Sequence, residues 1–251
     1  KMLSQPRYVS IEQALIITKT YKQHENEPII LKRAYALANA LRELEIGIEN
    51  EELIVGNRTK GVRYGVVFPE SGISWVDREF ETISTRKQDK FLVRDEDIKI
   101  FREQIVPYWK GKSLEDVIKQ NFGKEISAIN KVVKINQTDH AQGHICPNVE
   151  KWLQKGVSGL LEDAQNHYKN ADEDKKNFYQ AIIIVMKAVQ NFMLRYHDLL
   201  IATAKDDEKN RASLIKVADI CKNISQRPPQ TFHEAVQATW FLFVILHMES
   251  N

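Results

Sequence analysis

Side chains that could bind or react stand close together between residues 135 and 147, in the segment INQTDHAQGHICP. It contains amides, a hydroxyl, a carboxylate, two imidazoles and a thiol. An amphipathic helix or a half-buried strand would show apolar residues at a period of 3.6 or 2, and this segment shows neither. We interpret it as a loop rich in hydrogen-bonding groups, which suits a site for a small polar molecule.

Two histidines in this loop have a spacing that can bind a metal. His140 and His144 are four residues apart, with Asp139 adjacent, and on a helix both imidazoles could reach one ion. Gly143 lies between them, however, and no HExxH glutamate is present, so we predict no metal site. His144 could instead donate a hydrogen bond to a substrate or relay a proton. A structural histidine that holds the carbonyls of the loop is the alternative.

Asn136 and the two cysteines are the other candidates. Asn136 offers both a donor and an acceptor, which suits a ligand hydroxyl, but asparagine also forms turns in loops. Cys146 could be a nucleophile, although no paired base is evident beyond the nearby histidines. Cys221 stands among apolar residues of a predicted helix, and we expect it to be buried packing.

Composition excludes several classes of function. Of 251 residues, 43% are hydrophobic and 28% charged, and the formal charge is +2, from 36 basic and 34 acidic residues. No block of like charge suggests nucleic acid or an anionic membrane as a partner. With only two cysteines, a reducing cytoplasm is the expected location. The longest apolar run, 238–246, is too short to span a bilayer.

Periodicity and capping residues predict a mainly helical chain. Ser10 and Thr231 each begin a capping-box pattern, and Ser113 is a further predicted cap. Residues 52–59 and 64–68 are short apolar runs that could be strands or extended loop. A helix interruption is expected at Gly156. The predicted helices are 11–21, 28–44, 95–109, a short one after 113, 147–161, 172–204, 212–224 and 231–248.

The sequence also predicts where particular side chains of these elements lie. The inner face of helix 172–204 is predicted to carry Phe178, Ile182, Val185, Val189, Phe192 and Tyr196. The four tryptophans, Trp75, Trp109, Trp152 and Trp240, are predicted core residues. Arg58, Arg63 and Arg78 could bind an anion, but solvated or ion-paired arginines are commoner.

The last predicted helix is apolar on every side between Ala238 and Leu246, so it should be buried all round. The sequence ends five residues later. We therefore expect these 251 residues to be the front part of a longer polypeptide. Alternatively, the helices that precede it, or a second copy of the chain, cover the apolar surface of this helix.

Several segments, in order and spacing, resemble one family, the pyruvate formate-lyase-like glycyl radical enzymes, and in particular the pyruvate formate-lyase 2 and glycerol dehydratase branch. The resemblance covers nearly the whole chain but only about the first third of such an enzyme. The segments are EELIVGNRT at 51–59, FPE at 68–70, IVPYW at 105–109, INQTD at 135–139 with GH at 143–144, PQTF at 229–232 and ESN at 249–251.

The resemblance implies a helical N-terminal part of a ten-stranded β/α barrel. In dehydratase-type members, an asparagine and a histidine eight residues apart hydrogen-bond the substrate hydroxyls, and Asn136 and His144 have that spacing. The resemblance thus implies substrate binding by Asn136 and His144, with His144 as the catalytic donor to the leaving oxygen. We also predict that His140, in the same loop, binds substrate. A glycyl radical would oxidise a cysteine to a thiyl, which removes hydrogen from the hydroxyl-bearing carbon. A glutamate beside the cysteine would take the hydroxyl proton as the leaving group departs.

One departure from the family pattern is large. The Gly-Cys-Val-Glu type motif and the Arg-Val-Ala-Gly-Tyr type motif are absent from these residues. We therefore assign no catalytic role to Cys146 or Cys221, and we expect these residues alone to be inactive, with no bound cofactor. The radical would belong to the missing C-terminal part.

The function implied is a lyase that eliminates water from a small polyol. The implied whole enzyme is an anaerobic cytoplasmic homodimer with a radical S-adenosylmethionine activating enzyme as partner. Formate C-acetyltransferase and cleavage of a C–N or C–S bond are alternatives within the family. A non-catalytic helical interaction domain is the alternative from another class.

Overall fold

The computed structural model describes residues 5–49, 51–133 and 146–249. In this part the chain is mainly helical with two short strands, which confirms the predicted class. The elements are β1 Tyr8–Ser10, α1 Glu12–Gln23, α2 Ile29–Glu43, β2 Tyr64–Val66, α3 Ser74–Phe80, α4 Asp95–Ile100, a π-helical segment Phe101–Ile105, α5 Val106–Trp109, α6 Leu114–Ile129, α7 Val149–Lys169, α8 Glu173–Asp206, α9 Arg211–Gln226 and α10 Phe232–Glu249.

The chain forms two compact units. The first contains described residues 5–19 and 61–133, and the second contains 20–49, 51–60 and 146–249. None of the helices in these ranges is long and apolar enough to cross a lipid bilayer.

In the second unit, α8 packs against α2, α7 and α9. Its fully buried Phe192 and Tyr196 form an aromatic cluster with Phe241 of α10, with ring centroids 5.2–5.8 Å apart. Arg195, next to this cluster, donates from Nη1 to the carbonyl of Leu41 at 2.6 Å. Since the last carbonyls of a helix have no partner within it, Arg195 caps the C-terminal end of α2.

In the first unit, β1 and β2 pair in parallel, with Val9 opposite Gly65. The helical run from α4 to α5 contains Pro107, which has no N–H to donate. The chain widens to a π-helical segment just before it, and Val106 donates to the carbonyl of Phe101. The buried Trp109 then donates from Nε1 to Thr18 Oγ1 at 2.9 Å, which joins this run to α1.

The predicted helix positions are largely confirmed, but α3 was not predicted, and α7 continues to Lys169, beyond its predicted end at residue 161. Helix α1 begins at Glu12, and the hydroxyl of Ser10, the last residue of β1, accepts the N–H of Glu12 at 3.4 Å, as a capping residue does. Helix α6 is kinked at Phe122, whose φ of −130° and ψ of 17° are not helical, so the helix that follows Ser113 is short, as predicted, before a second helical part continues to Ile129. Ser113 is the cap of α6, as predicted, and accepts the N–H of Asp116.

Three aromatic residues predicted to lie in the core do not. Trp109 and Trp152 are buried, but Trp75 and Trp240 are each 39% exposed and Phe178 is 51% exposed. Trp240 nevertheless donates from Nε1 to the carbonyl of Gly56, and this hydrogen bond holds its ring at the surface.

The helix predicted to be buried all round has one buried face in the described chain. Phe241, Val244, Ile245 and Met248 are buried on it, whereas Phe243 is 50% exposed.

Candidate functional site

The three predicted site residues, Asn136, His140 and His144, lie within 134–145, outside the described residues. Their roles stay predictions. The described chain resumes at Cys146, which is exposed, and Asn148 then caps α7 by accepting the N–H of Lys151 at 2.9 Å. The predicted loop is therefore followed directly by a capped helix.

The first turns of α7 are anchored to α10. The buried Trp152 donates from Nε1 to the carbonyl of Ala238 at 2.9 Å. One turn later the helix is interrupted at Gly156, as predicted, with φ of +63°. A Cβ at this position would stand 2.9 Å from the backbone nitrogen of Pro228, so only glycine allows α7 to approach the chain between α9 and α10 this closely.

A segment without helix or strand lies along α10, and we call residues 53–60 the strap. Its central contact joins Val55 to the fully buried Gln237. The N–H of Val55 donates to Gln237 Oε1 at 2.8 Å, and Gln237 Nε2 donates to the Val55 carbonyl at 2.7 Å. One amide side chain thus satisfies both main-chain groups of a buried residue, which would otherwise be costly to bury.

Two more contacts fix the strap after Val55. The N–H of Asn57 donates to the Tyr196 hydroxyl at 3.0 Å, and Trp240 Nε1 donates to the Gly56 carbonyl at 2.9 Å. Burial raises the pKa of Tyr196 more than the hydrogen bond from Asn57 lowers it, so the hydroxyl is neutral. Gly56 has φ of +127°, and a Cβ there would stand 3.1 Å from the ring of Phe241.

Arg58 contributes a partly desolvated cation at the end of the strap. Burial lowers the pKa of its guanidinium, which nonetheless remains charged at neutral pH. Its Nη1 donates to the carbonyl of His247, in the last turn of α10, at 3.2 Å. Within the described ranges it forms no ion pair with a carboxylate. A cation at this position offsets the negative end of the helix dipole, and this structural role accounts for Arg58 without an anion.

The two thiols differ in environment. Cys221 is fully buried on α9, and burial raises the pKa of its thiol to about 12, so it has little thiolate at neutral pH. This confirms its predicted packing role. Across the described parts of the chain, no group of three or more histidine, cysteine, aspartate or glutamate side chains could hold a metal ion.

Sequence reasoning missed the strap and its buried partners. Gln237 was the available signal, because it is an amide within an apolar helix and buried polar groups require partners. Tyr196 was predicted to face inwards, but nothing in its sequence context indicates that its hydroxyl would accept a main-chain N–H from residue 57. The arrangement fixes backbone position and contains no acid–base pair that could itself perform catalysis.

Comparison with known proteins identifies the relatives of this chain. The family described as pyruvate formate lyase-like matches residues 1–251. The chain is 32% identical over 255 residues to the probable dehydratase YbiW of Escherichia coli (strain K12), covering 97% of this chain and 31% of that protein.

Solved structures with a similar fold belong to glycyl radical enzymes and related dehydratases. The glycerol-bound B12-independent glycerol dehydratase from Clostridium butyricum superposes with a TM-score of 0.93 at 30% identity, over 100% of this chain and 33% of that chain. A glycyl radical enzyme from Archaeoglobus fulgidus superposes with a TM-score of 0.92 at 32% identity, over 99% and 33%. The chain therefore spans about a third of the length of these relatives.

Proposed function

Because the chain belongs to the pyruvate formate lyase-like family, we propose that the protein is a glycyl radical lyase that eliminates water from a small polyol by radical C–O cleavage. The observation that supports this most strongly is the likeness of the whole chain to a glycerol dehydratase, with a TM-score of 0.93. The likeness to YbiW, described as a probable dehydratase, favours the same class of reaction.

We assign substrate contacts to the polar loop. Asn136 would orient the diol, since its amide can both donate to and accept from a hydroxyl. His144 would donate a proton to the leaving oxygen, and His140 would add a further contact. A fixed pose matters because hydrogen transfer requires the reacting atoms to be held in near-attack geometry. The cap at Asn148 and the contact of Trp152 with α10 support this assignment, because they hold the chain that follows the loop.

The remaining features of the proposal concern the whole protein. The described helices would form part of the wall of a ten-stranded β/α barrel. The radical would be held on a glycine and passed to a cysteine, and this chemistry would be supplied by residues outside these 251. We further propose an anaerobic, cytoplasmic homodimer that is activated by a radical S-adenosylmethionine enzyme.

The test is an anaerobic assay of the intact protein after radical installation by an activating enzyme. Glycerol and propane-1,2-diol are the substrates, and formation of the corresponding aldehyde by loss of water is the readout. We expect His144→Ala to lower kcat by about 10²–10⁴-fold if this side chain transfers a proton. Asn136→Ala should raise KM, because it removes an orienting contact.

Two variants serve as controls. His167→Ala replaces an exposed histidine that stacks on Tyr179, and Cys146→Ser replaces an exposed thiol. Both should retain normal turnover with an equal yield of radical. If His144→Ala also turned over normally, the histidine would have no catalytic role. If the wild-type protein carried the radical but dehydrated no diol, the proposed reaction class would be wrong.

A further inference from the structure

A cavity of about 320 Å³ lies in the first unit, beside β2 and α3. Four aromatic rings form part of its wall, those of Phe68, Trp75, Phe80 and Phe91. Phe68 and Phe80 are buried, whereas Trp75 is 39% exposed. The lining is therefore mostly apolar and aromatic, with one tryptophan that also reaches solvent.

A glycine in β2 allows one aromatic ring of the wall to pack close to the strand. A Cβ at Gly65 would stand 3.1 Å from the ring of Phe91, so the absence of a side chain allows this ring to pack directly against the backbone of β2. On the other side, Phe80 is held edge-on against the fully buried Phe101, with ring centroids 5.0 Å apart. The walls are thus fixed by packing.

The size of the cavity suits a small ligand. An engineered apolar cavity of about 150 Å³ is large enough to bind benzene. A space of about 320 Å³ is roughly twice that volume and matches two fused rings.

The polar groups on the wall define the chemistry. Ser71 and Glu79 are the polar side chains among the lining residues. Arg86 forms an ion pair with Glu79, which compensates its charge. The hydroxyl of Ser71 has no hydrogen-bond partner among the described residues, so it can accept a bond from a ligand.

We propose that this cavity binds a neutral, two-ring aromatic molecule that carries one hydrogen-bond donor. An apolar lining cannot replace the hydrogen bonds that a polyol makes to water, so this ligand is chemically different from the substrate proposed above. The inference therefore goes beyond the proposed function and does not depend on it.

Binding of 5-fluoroindole to the intact protein tests the proposal, with ¹⁹F NMR as the readout. We expect a single site, and we expect Val66→Phe to weaken binding at least tenfold, because Val66 lines the cavity and the added ring fills it. The matched control is Val117→Phe on α6, where the valine is 41% exposed and does not line the cavity. That variant should bind as the wild type does.

A milder variant tests the hydrogen bond. Ser71→Ala should weaken 5-fluoroindole by about 2–10-fold, the range for one neutral hydrogen bond, and leave the 1-methyl derivative unaffected. Equal loss for both ligands would contradict the assigned donor contact. No binding of 5-fluoroindole to the wild type at millimolar concentration, or equal binding by folded Val66→Phe, would overturn the proposal.

Discussion

Glu234 offers the sharpest test of how the second unit is held together. Its side chain, only 4% exposed, accepts five hydrogen bonds where α9 meets α10. Oε1 accepts from Asn223 Nδ2 at 3.1 Å and from Arg227 Nη2 at 2.8 Å. Oε2 accepts from Arg227 Nη1 at 3.1 Å, the N–H of Gln230 at 2.7 Å and the N–H of Thr231 at 3.2 Å. We expect Glu234→Gln to destabilise the fold substantially.

The magnitude follows from the number of donors that lose an acceptor. Glutamine keeps one oxygen, so either two or three of the five donors would face an NH₂ group. Each unsatisfied buried donor costs about 1–3 kcal/mol, which gives about 2–9 kcal/mol in total. Such costs are not additive, and Arg227, whose side chain is 33% exposed, stays partly hydrated when it loses its partner. We therefore expect the lower part of this range, a loss of about 2–4 kcal/mol in the free energy of unfolding.

The loss should depend on pH in a defined direction. Burial alone would raise the pKa of Glu234, but the bonds from Arg227 and the Gln230 N–H outweigh it and lower the pKa in the folded chain. The stabilisation is thus complete above the unfolded carboxyl pKa of about 4.3. It is lost as the pH falls through the lower pKa of the folded state. The difference between wild type and Glu234→Gln should therefore shrink in acid.

Urea unfolding at pH 7 and at successively lower pH, followed by circular dichroism, measures this difference. Glu173→Gln is the control, since Glu173 is also a first-turn glutamate paired with a basic residue, Lys176, but its side chain is 84% exposed. It should change stability little. A loss below about 1 kcal/mol for Glu234→Gln, less than the cost of two unsatisfied buried donors, would refute the reasoning. So would a difference that stays constant from neutral to acid pH.

Three further outcomes are expected. Gly156→Ala should destabilise by at least about 1–3 kcal/mol, because φ of +63° with ψ of 176° is essentially restricted to glycine, whereas Gly123→Ala on α6 should be neutral or stabilising in the same urea assay. Gln237→Met should leave both main-chain groups of Val55 unpaired and speed amide exchange in the strap, unlike Gln154→Met at an exposed site. Iodoacetamide should label one thiol in the folded protein, the exposed Cys146, and two labels without denaturant would contradict the burial of Cys221.

Local signals in the sequence predicted most of the helical fold. The capping box at Thr231 is confirmed in both directions, since Glu234 accepts the N–H of Thr231 and the Thr231 hydroxyl accepts the N–H of Glu234. Helix α2 lies within one residue of its predicted bounds, with Pro28 just before it. In each case the information is contained within one helical turn.

Features that depend on distant residues were not predictable in this way. Ser10 carries the same capping pattern as Thr231, but nothing local indicates that it also belongs to β1, which pairs with β2 more than fifty residues later. Trp240 and Phe178 stand in apolar helices, yet both are substantially exposed because the periodicity does not say which neighbour will cover them. The candidate site residues came from composition and resemblance, and they lie outside the described residues, so they stay predictions.

The position of the strap on α10 follows from several polar contacts that act together. Its residues bond α10 in the same order along both segments, from Leu53 with His233 to Arg58 with His247. Between those two histidines the helix rises about 21 Å, at about 1.5 Å per residue. Five extended residues span at most about 18 Å, so the side chains of His233 and Arg58 cover the remaining distance. Because Gln237 pairs with both main-chain groups of Val55, a shift of one residue would break this contact and move Arg58 away from the end of α10. The buried amide therefore determines where the cation lies.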